Sequence, residues 1–211
     1  MFTTWANFLA YELEGLNAAT TKHCATQGAA SFKPFPNTRM VLDCTEVYTE
    51  CPSGLKTRLQ LFSNYKHHNA VKFSVGTSPN GSDVYVSRVW GGRSSDKKIA
   101  CSNCLDLLQP GEAIMADRCF RIEEVAARAG KLHIPAFLTA TRSQLSASEV
   151  TQTRRIARAR IHVERAIQRI KFFAILKFLP ISLLRITEQI FKVCAFLTNF
   201  QKPVIANVVE L

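Results

Sequence analysis

Two short apolar runs, each closed by an aspartate, constrain this chain more than any other feature. Met40, Val41 and Leu42 lead into Asp43, and Ala113, Ile114, Met115 and Ala116 lead into Asp117. Runs of this kind read as strands buried on both faces, and a carboxylate at the end of such a strand is carried by a rigid element. Either Asp alone reads equally well as a strand-end residue capping a turn. Together they match open sheets that bind ligands at the carboxyl edge of their strands.

Around these runs the predicted elements alternate. The segments TRMVLDCTEVY, NAVKFSVGTS and DVYVSRVW predict three antiparallel strands, the last two joined through the turn signal PNG. After GGRSS, where Ser94 or Ser95 can cap a helix, DKKIACSNCLDLL keeps helical spacing up to Pro110 and Gly111. IEEVAARAG predicts a helix closed by Gly130, and KLHIPAF a short strand ended near Pro135. From about Ser146 to Phe178 the pattern predicts one long helix, and after Pro180 a second that runs to about Asn199. The sum is an α/β fold, a mixed sheet flanked by helices, with additional carboxyl-terminal helices. In front of it, residues 1–37 read as an appendage: a short amphipathic helix around Trp5 to Leu16, then a connector rich in Thr, Ala, Gly and Pro.

A chain of 211 residues suffices for one domain with a real core, and 47% apolar against 20% charged residues excludes extensive disorder. With 27 Lys and Arg against 16 Asp and Glu, the net charge of +11 favours a polyanionic partner, either nucleic acid or an anionic membrane. The apolar stretch from Phe172 to Phe200 is interrupted by Lys177, Pro180, Arg185, Glu188 and Lys192, which argues against a membrane span. The start of the chain lacks the pattern of a secretory signal, so an intracellular protein is expected. Seven cysteines at irregular spacing fit reduced thiols better than a disulfide framework. Cys101 and Cys104 form a CxxC without a second pair at zinc-site spacing, a weak metal signal.

The predicted long helix carries two further candidates. Ile156, Ala159, Val163, Ala166, Ile167 and Ile170 make one apolar face, and Glu164 flanks it beside Arg160 and Lys171. From there Glu164 can point across the sheet edge toward Asp43 and Asp117, or pair with Arg160 as an ordinary surface residue. On another side Arg154, Arg158, Arg165 and Arg169 align in one stripe, which suits either a phosphate backbone or plain solvation. Glu164 is the sole acid between Gln152 and Lys171, and this one-sided charge favours DNA. Lys66, His67 and His68 precede the second strand as loop residues and stay outside the catalytic set.

Five segments in order, LDCTE, SNYKHHNAVKFSVGTSPNG, VSRVWGGRSSDKKI, IMADRCF and RIHVERAIQRIK, resemble the catalytic domain of Harbinger-type DDE transposases and their domesticated relatives. The resemblance covers about Thr38 to Pro203, and it implies a catalytic domain over residues 38–203 of RNase H-like fold, with residues 204–211 as a tail. It also implies that Asp43, Asp117 and Glu164 form a catalytic triad holding Mg²⁺ or Mn²⁺, Asp43 bridging two ions and Asp117 and Glu164 each holding one. A metal-bound water or a DNA 3′-hydroxyl would then attack the phosphodiester. Asp96 would play a supporting role or cap the helix that follows, and the protein would act on DNA in the nucleus.

Two departures from the family pattern bear on activity. Cys119 stands where relatives carry Gly after Asp-Arg, and too little chain precedes Asn37 to hold the helix-turn-helix region that full-length relatives carry upstream. A truncated copy is therefore expected, its recognition domain lost or supplied by a separate DNA-binding accessory protein. These departures keep open a domesticated or degenerate DNA-binding module without turnover. A membrane-surface role for the Phe-rich carboxyl-terminal helices uses the charge but leaves the acidic residues without a task.

Overall fold

The computed structural model of the protein describes residues 1–21, 29–100, 107–117, 120, 130–136 and 144–202. Residues 122–129 of the predicted helix IEEVAARAG, and Cys101, Cys104 and Cys119, lie outside the described residues. A mixed sheet forms the centre. Its strands are β1 (Thr38–Tyr48), β2 (Phe62–Ser63), β3 (His68–Thr77), β4 (Asp83–Val86), β5 (Trp90–Gly91), β6 (Ala113–Met115) and β7 (Lys131–His133). Spatially they run β2-β3-β1-β6-β7, with β4 and β5 both pairing along β3. β1 and β3 are antiparallel, whereas β1, β6 and β7 are parallel. The helices are α1 (Phe2–Thr21), α2 (Leu55–Leu61), α3 (Asp96–Ala100), α4 (Ala147–Lys171) and α5 (Thr187–Thr198). This curled mixed sheet with flanking helices is consistent with the RNase H-like fold.

Strand alternation sends successive side chains of β1 into two different cores. Val41 and Val47 join Phe73, Val75, Met115, Ile156, Val163, Ile170 and Phe191 under α4 and α5. Met40 and Leu42 face the other way, against Tyr85, Ile114, Ala116 and Phe120. In the larger core the rings of Phe73 and Phe191 stack at 4.0 Å and 7°. The predicted strand over DVYVSRVW divides in two. The Ser87 amide donates to the Ser74 carbonyl, but the Ser74 amide donates to the Ser87 hydroxyl, and this local alternative to the ladder turns the chain between β4 and β5. At Gly92 a Cβ would stand 2.5 Å from the Leu61 carbonyl oxygen, so the close approach of β5 to α2 requires the bare backbone.

α4 begins where its sequence predicts. Ser146 caps it, with Glu149 bonding back to the Ser146 amide in a capping box. Its end differs from the expected Phe178. The helix stops at Lys171, a 3-10 turn covers Ala174–Leu176, and Leu179 is extended. Leu179 donates its amide to the Tyr48 carbonyl at 2.8 Å and accepts from the Glu50 amide at 2.9 Å, so the segment is tied to the end of β1. Pro180 enforces the same choice, because the residue before a proline avoids helical geometry. Ile156, Val163 and Ile170 on the inner face of α4 are fully buried, each contributing about 1.5–3 kcal/mol.

α1 runs longer than the expected Trp5 to Leu16 and lies on α5, with Ala6, Ala10 and Leu13 buried and Glu14 paired to Lys192 at 3.1 Å. Phe32 and Phe35, in the segment before β1, enter the larger core. At the far end of α5, Asp83 joins the helix to β4. It is fully buried, accepts from the Thr77 hydroxyl at 3.0 Å and the Thr198 hydroxyl at 2.9 Å, and its backbone is held on both sides by Asn199. Burial pushes its carboxyl up to about 6, although both hydroxyls favour the charged form. Among the described residues no helix is long and apolar enough to cross a membrane.

Candidate active site

Register brings the two strand-end aspartates together. Val41 of β1 lies opposite Met115 of β6 in the parallel pair. Asp43 and Asp117 each stand two residues further on, so both belong to the same edge and the same face of adjacent strands. That face is the one covered by α4. The side chain of Asp43 is 25% exposed and that of Asp117 43%, so both reach solvent from rigid supports.

Arg160 descends on them from α4. Its Nη1 donates to Asp117 Oδ1 at 3.2 Å, and its Nη2 lies 4.0 Å from Asp43 Oδ1. Asp43 also accepts the backbone N–H of Cys44 at 2.9 Å. Its carboxyl is raised from an ordinary 3.8 to about 6: burial is the largest cause, and the charges of Glu164 and Asp117 add to it, while Arg160 and the Cys44 amide work in the opposite direction. A carboxylate this disfavoured, among other carboxylates, is a natural ligand for a cation.

Glu164 stands one turn beyond Arg160 on α4, exposed, and its charge is felt at Asp43. The pairing with Arg160 that an isolated helix would favour is not formed, because the guanidinium turns inward to the aspartates. Among the described residues no group of three or more His, Cys, Asp or Glu side chains is drawn close enough to enclose a metal ion. The donor chemistry nevertheless fits a hard divalent cation. Carboxylate oxygens come from three elements, two of them in register, and a positive group already sits between those two.

The arginine stripe has a different setting. Arg154, Arg158 and Arg165 are exposed. At about 100° per residue the stripe is turned well away from Arg160, so it lies on the side of α4 that faces away from the core and the carboxylates. Arg169 is half-buried, donates to the Lys202 carbonyl and contributes to the charge around Asp83, so part of its capacity is spent within the fold.

Asp96 is occupied on the other face of the sheet. Lys72 bridges it at 3.1 Å to Glu46 at 3.4 Å, and Glu46 accepts from the Ser63 hydroxyl at 2.8 Å. Ser95 supplies the cap of α3 through a long contact of 3.4 Å to the Lys98 amide. This network pins the start of α3 to β3, a support for the sheet and not for the aspartate pair. His68, at the start of β3, packs edge-on to Tyr48 and lies 4.0 Å from Glu46. Among the described cysteines, Cys44, Cys51 and Cys194 are free, and burial raises the thiols of Cys44 and Cys194 above their ordinary range.

Sequence reasoning weighed Arg160 solely as a partner for Glu164. The signal that could have found it was the placement of an arginine at the margin of the apolar stripe on a helix already suspected of facing two strand-end aspartates. Lys171, three turns along, lies within electrostatic reach of Asp43 and Glu46.

A family model described as DDE superfamily endonuclease matches residues 42–199. Comparison with curated proteins gives no match.

Proposed function

Because the chain belongs to the DDE superfamily of endonucleases, we propose that it is a Harbinger-type catalytic domain that cleaves DNA phosphodiesters with Mg²⁺ or Mn²⁺ held by Asp43, Asp117 and Glu164. The Harbinger assignment is supported by the ordered segments around these residues. The domain runs over residues 38–203, with residues 1–37 as an amino-terminal segment and 204–211 as a tail, and it works in the nucleus. The single observation that carries the reading is the register that sets Asp43 and Asp117 side by side under α4, the helix that bears Glu164.

When bound, the divalent ions supply charge neutralisation at the phosphoryl oxygens and activation of the attacking oxygen. The chain's own residues hold and orient. Asp43 and Asp117 offer oxygens from a sheet whose strands cannot shift independently, and Glu164 would complete the set from a helix fixed at its cap, with the chain behind it tied at Leu179. Arg154, Arg158 and Arg165 hold DNA backbone on the outer side of α4, with Arg169 at the end of the row.

Nicking of supercoiled DNA that requires Mg²⁺ or Mn²⁺ tests the reading. Asp43→Asn should reduce the rate by several orders of magnitude while leaving DNA affinity nearly intact, since phosphate contacts come from Arg and Lys. Equal nicking by wild type and variant, with contaminating nucleases excluded, would overturn the mechanism. Replacing Arg154 and Arg158 with Ala should weaken binding to unrelated sequences alike and lower the salt slope by about one per lost phosphate contact. An unchanged slope would remove them from the interface. The bridging of both aspartates by Arg160 favours a second reading, a DNA-binding module without turnover, which predicts binding with no nicking by either protein.

A further inference from the structure

The Arg160 guanidinium stands where a cation shared by Asp43 and Asp117 would have to stand. Its side chain is 14% exposed, its two terminal nitrogens are directed at one oxygen of each aspartate, and its Nε is buried without a hydrogen-bond partner among the described residues. Burying a guanidinium is costly, and a residue one turn from Glu164 on the helix margin could have paired there in solvent instead. The fork reaches across to β1 and the end of β6 because two adjacent carboxylates repel each other and a planar cation can lie between them.

We propose that Arg160 is a built-in counter-ion that bridges Asp43 and Asp117 when no metal is bound and competes with the divalent cation for them. The inference rests on the triad reading above. A monovalent guanidinium and a divalent ion cannot share one pair of oxygens, because their mutual repulsion at a few Å is large in a partly desolvated site. Metal entry therefore requires the guanidinium to withdraw along α4 toward solvent. The free energy of the two ion pairs is subtracted from the metal's affinity, which makes the site weak toward stray cations. The same bridge holds the aspartate pair in shape in their absence.

The test measures Mn²⁺ binding, by the loss of the free Mn²⁺ resonance signal, together with thermal unfolding of the full chain. Arg160→Gln should bind Mn²⁺ about 5- to 150-fold more tightly than wild type, the usual range for coupling between two competing occupants. In metal-free buffer it should melt at a lower temperature than wild type, and added Mn²⁺ should raise its melting temperature by more. Arg160→Lys keeps the charge without the fork and should fall between the two in Mn²⁺ affinity. It carries the test where Arg160→Gln fails to fold, and an affinity at or below that of wild type would then overturn the proposal. Mn²⁺ binding by Arg160→Gln that is equal to or weaker than wild type, with Asp43→Asn abolishing binding, would overturn the counter-ion role and leave the triad standing. Mn²⁺ binding that Asp43→Asn does not reduce, or no Mn²⁺ binding by any of the proteins, would overturn the triad and the counter-ion role with it.

Discussion

Asp43 and Asp83 are both drawn out of water, and burial is the chief cause that lifts each carboxyl to about 6. Their company differs. Asp83 receives two hydroxyl donors, and Asn199 holds its backbone, an arrangement that joins β4 to the end of α5. Asp43 receives one amide from its own chain, a guanidinium at 4.0 Å, and the charges of Asp117 and Glu164. The first carboxylate is answered by hydroxyl donors, with the charge of Arg169 a smaller contribution, and serves the fold. The second is set among like charges that destabilise its ionised form and is answered by a cation. A raised carboxyl is thus no mark of a functional site by itself; the mark is burial beside other carboxylates at an edge open to solvent.

The largest way to break this contrast is Asp83→Ala. It leaves the Thr77 hydroxyl without its carboxylate acceptor and the Thr198 hydroxyl with the Ala195 carbonyl alone, in a dry setting, and should cost about 2–4 kcal/mol in a urea titration. Asp43→Ala, measured the same way without metal, should leave stability unchanged or higher, because it removes a repelled charge. Equal losses from both would erase the distinction. Thr198→Val takes away one hydroxyl donor to Asp83 and should cost about 1 kcal/mol. A value near zero would mean that the remaining partners of Asp83 satisfy the carboxylate without Thr198.

The finest test uses pH. A carboxyl near 6 in the fold and near 3.8 in the unfolded chain binds more protons when folded between those values. Its stabilising contribution is complete below about pH 4 and is lost as pH rises through about 6. Asp43→Asn should therefore gain on wild type progressively from pH 4 to above 6 in metal-free buffer, then hold a constant advantage. Unfolding midpoints across that range would show a flat difference if the Asp43 carboxyl titrates in the ordinary range.

Much of this arrangement was legible from local pattern. The apolar runs before Asp43 and Asp117 signalled strands because residues buried on both faces leave continuous hydrophobic stretches. Ser146 with Glu149 signalled the start of α4 because a cap is made by neighbours in sequence. What stayed hidden depends on distant partners. The end of α4 is decided by Leu179 meeting Tyr48, far away in the chain. Asp83 opens the strand predicted after the PNG turn, and nothing local announces Thr198 as its partner. Arg160 was misjudged for the same reason: spacing on a helix points to Glu164, whereas the actual partners come from β1 and the end of β6. The DNA-facing role of the arginine stripe depends on a partner outside the chain, so neither pattern nor fold decides it.

The tie between Leu179 and the tail of β1 turns the stretch behind Arg160 into a ruler. From Arg160 to that tie the chain is mostly continuous helix, held at the far end by backbone bonds to Tyr48 and Glu50. One codon gained or lost inside α4 downstream of Glu164 would rotate everything before it by about 100° and slide it by about 1.5 Å, carrying Arg160 and Glu164 off the aspartates together. A longer loop between strands would be absorbed at the surface. Within this helix, length constrains the site as tightly as the identity of its side chains.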